Sequence, residues 1–325
     1  MPEQSREYSL SRLQALGQEL EVEALLDGHP LCVYVTGSYG RLEAWEGSDI
    51  DLFFLDASPE ETERFPWTRF IRLAARLIEV TEGMGFPPFS GDGRYLELQY
   101  VSEMEEVLGS PQDDSLNAFT ARMLLILESQ PLHDEEVYAS LLKQIIGFYY
   151  RDFEDHGDNF MPTFLMNDIL RFWRTLTLNY EHHRLKLRCL TGDDLEQEKA
   201  DSALKNYKLK VSRLATCFSM VTNLSAMGAP VKLDDVFELC QITPAQRFDR
   251  IRDYGQDADS LVSELHVVYT EFLSQVQRPE EELLAEFRIS ENRKEALKRA
   301  SRYGDLIYKL LSSVSSAERM RYLVI

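Results

Sequence analysis

The stretch YVTGSYGRLEAWEGSDIDLFFL, from Tyr34 to Leu55, places a glycine-rich turn between two strand-like runs. The first run ends at Gly37-Ser38, and the second carries Asp49 and Asp51, which are two residues apart. In a strand, that spacing puts both carboxylates on one face, while the intervening Ile50 turns inward. The stretch therefore predicts a strand, a tight turn and a second strand with its acidic residues on one side.

Two carboxylates on one strand face repel each other, and such a pair is tolerated mainly when a cation lies between them. Carboxylate oxygens suit the hard cation Mg²⁺, or Mn²⁺, which also binds phosphate oxygens. Gly37 permits close backbone approach, and the N–H groups and the Ser38 hydroxyl of the turn would face an incoming phosphate. We therefore expect Asp49 and Asp51 to bind divalent metal beside a phosphate group, where two ions about 4 Å apart would activate an attacking oxygen and stabilise departing pyrophosphate.

These residues, Gly-Ser followed after about ten residues by Asp-Ile-Asp between apolar neighbours, resemble the signature of the DNA polymerase β-like nucleotidyltransferases. The longer form, Gly-Ser-Tyr-Gly-Arg with Ser-Asp-Ile-Asp-Leu, is similar to uridylyltransferases that modify the nitrogen-signalling protein PII. The resemblance covers residues 34–55. It implies a small mixed sheet, Ser38 at the triphosphate, and Asp49 and Asp51 as metal ligands. The chain departs from these uridylyltransferases, because it shows no metal-dependent phosphohydrolase His-Asp pattern. The resemblance therefore does not imply which acceptor the chain modifies.

The resemblance also implies a third carboxylate on a later strand, between apolar neighbours. The sequence Leu96-Glu97-Leu98 fits this pattern. Glu97 would then bind the catalytic metal and accept the proton of the attacking hydroxyl. Alternatively, Glu97 is an exposed strand residue on the side shared with Gln99, and Asp92 or Glu103 takes its role.

Arg41 follows the glycine turn and is the first candidate for a phosphate contact. The alternative is that it pairs with Glu43 or Glu46. We expect Glu43, Glu46 and Asp56 to lie at the surface.

A polar stripe on a later helix is the second phosphate-binding candidate. Asn167, Arg171 and Arg174 stand at i, i+4 and i+7, so they share one helix face. The resemblance implies such a basic residue at the triphosphate. The alternative is a solvated face on which Asp168 pairs with Arg171.

Lys208 belongs to a third basic group, for which a solvated helix face is the alternative to phosphate or acceptor binding. Its members are Lys205, Lys208, Lys210 and Arg213. His182 and His183 stand at a helix end without a partner at metal-ligand spacing, so we do not expect zinc there. The chain also lacks the Gly-x-x-x-x-Gly-Lys-Ser/Thr sequence of a P-loop.

Composition narrows the choice of partners. The chain has 325 residues and a net charge of −20, which opposes binding to long nucleic acids or anionic membranes. Its apolar runs are too short to cross a bilayer, and the N-terminus has no leader pattern, so we expect cytoplasmic residence. We expect buried free thiols at the four cysteines, which are Cys32, Cys189, Cys217 and Cys240.

The periodicity predicts an α+β fold, with a small mixed β-sheet nucleotidyltransferase module followed by a mostly α-helical domain. Residues 1–112 would form the catalytic module, and residues 113–325 would close its active-site cleft. In the module, we predict helices at 8–26 and 67–82 and strands at 31–35, 50–55 and 94–101. After Asp114 we predict no strands, and helices near 115–129, 134–153, 163–185, 194–227, 232–240, 256–277 and 292–313.

The expected reaction moves a nucleoside monophosphate from a triphosphate, ATP by default, to an acceptor hydroxyl and releases pyrophosphate. The acid-rich surface favours a protein or small-molecule acceptor over RNA. One alternative is a regulatory protein that senses nucleotide without turnover. Another is a nucleotide-signal synthase or toxin-like nucleotidyltransferase of a bacterial defence system.

Overall fold

The computed structural model describes residues 3–20, 26, 28–89, 93, 96–254 and 256–324. The chain divides into two compact units. Unit 1 comprises residues 1–157 and 232–243, and unit 2 comprises residues 158–231 and 244–325. The small mixed sheet of unit 1, followed by helices, confirms the predicted α+β class. The functional division at residues 112 and 113 stays a prediction.

Unit 1 contains the sheet. Its strands are β1 (Leu31–Thr36), β2 (Asp51–Asp56), β3 (Leu98–Tyr100) and β4 (Gln130–Pro131). Its first seven helices are α1 (Glu3–Leu20), α2 (Gly37–Gly40), α3 (Trp67–Gly83), α4 (Val101–Glu106), α5 (Pro111–Ser115), α6 (Ala118–Glu128) and α7 (Glu135–Gly147). The prediction of no strand after Asp114 was wrong, because β4 pairs with β1 through Tyr34 and Val35. A two-residue strand carries no readable alternation.

The remaining helices follow in chain order. They are α8 (Thr163–His183), α9 (Gly192–Lys208), α10 (Leu214–Ala226), α11 (Leu233–Cys240), α12 (Pro244–Asp249), α13 (Gln256–Val276), α14 (Glu280–Arg288), α15 (Ser290–Val314) and α16 (Ala317–Val324). Of these, α11 belongs to unit 1. The predicted helix at 194–227 is interrupted by a π-helical turn at Leu209–Arg213. Among the described residues, no helix is long and apolar enough to span a bilayer.

The sheet has the order β3-β2-β1-β4. Strands β1 and β2 are antiparallel, with Thr36 opposite Asp51, whereas β2 and β3 are parallel, with Leu98 opposite Phe54. The end of β1 therefore lies beside the start of β2. Of the predicted third strand at 94–101, residues 98–100 form a strand, and Arg94 and Tyr95 lie outside the described residues.

One face of this sheet packs against α1 and α3 in a single apolar core. The strand residues in this core alternate along each strand, as burial of one sheet face requires. They include Leu31, Val33 and Val35 of β1 and Leu52 and Phe54 of β2. On the opposite face, Tyr34 stacks on Phe53 with ring centroids 5.4 Å apart. Asp51 belongs to this second face, because it shares the parity of Phe53.

Helix α1 also supports the chain that follows α2. The Ser9 hydroxyl is buried in α1 and accepts a hydrogen bond from the backbone N–H of Ala44 at 3.0 Å. The Arg12 guanidinium lies 4.2 Å from the ring centroid of Phe86 and donates to the Met84 carbonyl at 2.9 Å. Through Ser9, helix α1 therefore restrains the segment that joins the glycine turn to β2. Through Arg12, it contacts the residues that follow α3.

Unit 2 has a core of its own, built between its helices. Tyr207 of α9 packs edge-on against Phe272 and tilted against Phe287. The Phe172 side chain of α8 is also buried. The prediction that all four cysteines are buried was wrong for Cys189, which is exposed in a 3₁₀ segment after α8.

Candidate active site

The turn after β1 brings the glycine and one aspartate of the motif into contact. Gly37 has a φ of +68°, a left-handed conformation that side chains rarely adopt. A Cβ added to Gly37 would lie 2.7 Å from Oδ2 of Asp51. Both backbone conformation and space therefore require glycine here, and the missing side chain leaves room beside the carboxylate.

The two aspartates lie at the start of β2. Ile50 and Leu52 are buried, whereas Asp49 is exposed and Asp51 is half-buried. Strand β2 begins at Asp51, so Asp49 stands just before the strand rather than inside it. The alternation of burial places both carboxylates away from the core.

Arg41 is held by two carboxylates instead of facing open solvent. Its Nε lies 2.9 Å from Oε2 of Glu43, and its Nη1 lies 2.7 Å from Oε2 of Glu128. All three residues are buried, so the prediction of a surface position for Glu43 was wrong. The ion-pair alternative describes Arg41 in this structure, and a phosphate contact by Arg41 stays a prediction.

The second glycine of the turn allows this arrangement. A Cβ on Gly40 would collide with the backbone carbonyl oxygen of Glu128. The end of α6 thus approaches the glycine turn through its backbone and binds Arg41 through the Glu128 side chain.

Asp56, at the far end of β2, is fully buried, so its predicted surface position was also wrong. Its carboxylate accepts hydrogen bonds from the backbone N–H groups of Ser58 at 2.8 Å and Phe65 at 2.6 Å. The His29 Nε2 lies 3.3 Å from it. These contacts organise the loop between β2 and α3, and this carboxylate lies at the opposite end of the strand from Asp51.

Glu97 immediately precedes β3 and is exposed. Because Gln99 pairs with Leu55, the residues of β3 with odd numbers share the sheet face of Asp51. The role of Glu97 as the third carboxylate stays a prediction. The first fallback residue, Asp92, lies outside the described residues. The second, Glu103 of α4, has its Oε1 atom 2.8 Å from Nη1 of Arg64.

The other candidate phosphate ligands belong to unit 2. Arg171 lies 3.5 Å from Asp168, and Arg174 and Lys208 are exposed. The contact between Arg171 and Asp168 agrees with the alternative that these two residues pair on the helix surface. Phosphate binding by Arg171, Arg174 and Lys208 stays a prediction.

Comparison with known families agrees with this geometry. Residues 6–97 match the family described as "Putative nucleotidyltransferase DUF294". This match supports assignment of the segment 6–97 to the nucleotidyltransferase superfamily. This nucleotidyltransferase segment runs from α1 to Glu97 and includes the glycine turn and both motif aspartates. A search of curated proteins returns no match to the chain.

The donor set of the nucleotidyltransferase segment fits a divalent cation. Asp49 and Asp51 supply carboxylate oxygens, which hard cations such as Mg²⁺ and Mn²⁺ prefer. The space that the absent Cβ of Gly37 leaves beside Asp51 Oδ2 is the structural observation in favour of a bound group. We therefore regard these two aspartates as residues that could hold the metal.

A buried ion pair elsewhere in unit 1 was not predicted. Arg122 donates two hydrogen bonds to the Asp113 carboxylate, at 2.9 and 2.8 Å, and one to the Tyr149 hydroxyl at 2.8 Å. The Arg122 and Asp113 side chains are fully buried. A sequence signal existed, because a single arginine interrupts the apolar run of α6, and a charge in such a run requires a buried partner.

Proposed function

We propose that the nucleotidyltransferase segment transfers a nucleoside monophosphate from a nucleoside triphosphate to an acceptor hydroxyl and releases pyrophosphate. The observation that carries this proposal is the contact between Gly37 and Asp51, which joins the glycine turn to an acidic strand end. ATP is the default donor on grounds of abundance.

Each residue of the candidate site has a separate role in the proposed reaction. Asp49 and Asp51 hold Mg²⁺ or Mn²⁺, which when bound neutralises phosphate charge and polarises the transferred phosphorus centre. The Ser38 hydroxyl and the backbone N–H groups of the turn position the triphosphate. Glu97 accepts the proton of the attacking hydroxyl. A bond forms between the acceptor oxygen and the α-phosphorus, the α–β bridging bond breaks, and its electron pair leaves with pyrophosphate.

Charge guides the choice of acceptor. A chain of net charge −20 repels a long polyanion, so we propose a protein side chain or a small molecule as acceptor rather than RNA. The net charge affects only the choice of acceptor. A nucleoside triphosphate is small, so it needs positive charge only within its own binding site.

The experiment incubates the full chain with each α-³²P-labelled triphosphate, Mg²⁺ and cell lysate, and then separates protein, RNA and small-molecule fractions. Asp51→Asn, and Asp49→Ala combined with Asp51→Ala, should lower label transfer by roughly 100-fold or more, since the charge at the reacting phosphate is no longer neutralised. Glu46→Gln is the matched control, because Glu46 is an exposed acid of the same loop.

Undiminished transfer by the double alanine variant would contradict the proposal. Calorimetry with ATP and Mg²⁺ separates the regulatory alternative. Tight binding by the parent chain without any labelled product would show a nucleotide sensor instead of a transferase.

A further inference from the structure

A histidine and two carboxylates converge in unit 2, outside the nucleotidyltransferase segment. His183 is the last residue of α8, and Glu198 and Asp201 lie on α9. One nitrogen or oxygen atom from each of the three lies within 4.8 Å of the others. Glu198 and Asp201 are three positions apart, so they share one face of their helix. We call these three residues the His183 cluster.

Two polar atoms in the His183 cluster are shielded from solvent without a hydrogen bond. The Nδ1 atom of His183 and the Oε1 atom of Glu198 are 3.5 Å apart, which is an ion-pair distance for a protonated imidazole, and neither atom makes a hydrogen bond among the described residues. Leaving a buried donor or acceptor unsatisfied is energetically costly. A ligand that bonds both atoms would remove this cost.

The Lys205 ammonium group lies at the edge of the His183 cluster. The Lys205 ammonium donates to Oδ2 of Asp201 at 2.7 Å and lies 3.3 Å from Nε2 of His183. The Lys205 side chain is about half exposed, at 52%, so it can move into solvent without leaving a buried void. A divalent ion would neutralise both carboxylates, whereas the ammonium neutralises one.

We propose that the His183 cluster binds a divalent transition-metal ion, for which Zn²⁺ is the best match. Imidazole nitrogen and carboxylate oxygen are zinc ligands at about 2.0–2.2 Å, whereas Mg²⁺ favours oxygen alone. Three protein ligands leave a fourth position for water. The cluster must contract around the ion, which its half-buried side chains allow. Bound zinc would then fasten the end of α8 to α9.

Sequence spacing did not reveal this site, because the ligands come from two separate helices. The 3₁₀ segment Arg184–Cys189 lies between α8 and α9 in the chain, and the two helices contact this segment and each other. The Ser202 hydroxyl donates to the Tyr180 hydroxyl at 3.4 Å, which is a second polar contact between the same helices.

The experiment titrates ZnCl₂ into the metal-free full chain by calorimetry and follows thermal unfolding. All proteins carry Asp49→Asn and Asp51→Asn, so that metal binding at the N-terminal aspartates does not contribute. Excess Mg²⁺ is present throughout. We expect one Zn²⁺ per chain and a rise in Tm, with binding weakened at least about tenfold by His183→Ala and by Glu198→Gln.

His182→Ala is the matched control, because His182 is the neighbouring histidine but is not in the cluster. It should bind Zn²⁺ like the parent chain, and Lys205→Met should bind it more tightly because the competing ammonium is removed. If His183→Ala fails to fold by circular dichroism, Glu198→Gln provides the test. Equal affinities for the Glu198→Gln and His182→Ala proteins, or no saturable binding by the parent, would overturn the proposal. Both of these outcomes test zinc binding only, and neither would contradict the proposed nucleotidyl transfer.

Discussion

The carboxylate of Asp51 packs against Gly37, with Oδ2 only 2.7 Å from the position that a Cβ at residue 37 would take. Thr36 and Asp51 are paired across β1 and β2, so this approach follows directly from the antiparallel register. The first turn residue after β1 and the first residue of β2 thus form one structural element. Our proposal for the chemistry depends on this contact.

Gly37→Ala should damage the site more than it damages the fold. The left-handed conformation costs a residue with a Cβ roughly 1–2 kcal/mol, and the methyl group must displace the Asp51 carboxylate. A displacement of 1 Å can lower a rate about 100-fold. Urea denaturation and label transfer would measure the two effects.

Gly85→Ala is the matched control for that variant. Gly85 has a φ of +74°, but no atom lies within 4 Å of its added Cβ. It should lose similar stability and keep its transfer activity. Equal activity loss in both alanine variants would show that backbone strain, and not contact with Asp51, explains the effect.

Gly40→Ala should destabilise unit 1 by roughly 1–3 kcal/mol, because the added methyl group meets a backbone carbonyl that cannot rotate away. Gly83→Ala offers the comparison, since an added Cβ there has open space. Urea denaturation of both variants checks the prediction, which fails if the two midpoints shift equally.

Asp113→Ala should cost about 3–5 kcal/mol of folding free energy, because it leaves the Arg122 guanidinium buried beside an empty site. Arg122→Leu combined with Asp113→Ala should cost less than the sum of the two single changes, since no unpaired charge remains. Chemical denaturation of the four proteins completes the double-mutant cycle. Strict additivity would argue against the buried pair.

One cysteine should react in the native protein. Cys189 is exposed, whereas Cys32, Cys217 and Cys240 are buried. At neutral pH, a small thiol reagent should therefore modify one thiol per folded chain and four per chain in urea. Cys189→Ser should abolish the native reaction, and mass spectrometry of the labelled peptides would identify any other reactive site.

Alkaline pH should destabilise the fold. Burial raises the pKa of Cys32 and Cys217 from 9.0 to about 12. The unfolded thiols lose their protons first, so the stabilising contribution is complete below pH 9.0 and is lost as pH rises toward about 12. Urea midpoints between pH 8 and pH 11 should fall, and Cys217→Ala should reduce the slope of that fall. An unchanged slope in this variant would contradict the prediction for Cys217.

Much of unit 1 was predictable from local pattern. The strand-like runs of β1 and β2 and the apolar periodicity of α3 are visible in consecutive residues and match the structure closely. The short helices α4 and α5 and the strand β4 were missed. Each is six residues long or shorter, and such elements depend on tertiary packing more than on their own periodicity.

The surface predictions failed for two acidic residues whose partners the sequence does not mark. Glu43 was expected at the surface, but it is buried because Arg41 joins it to Glu128, 87 residues from Arg41. Asp56 is buried because backbone N–H groups of the following loop surround its carboxylate. An isolated acidic residue in a sequence gives no sign of such partners.

Residue order thus suffices for the strand, the glycine turn and the spacing of the two aspartates, because each of these follows from the geometry of a few consecutive residues. The contacts of Asp51 with Gly37, of Arg41 with Glu128 and of His183 with Glu198 required the folded chain. The physical reason is that a side chain loses water and gains a partner only when packing brings separate segments together, and local periodicity does not specify which segments meet.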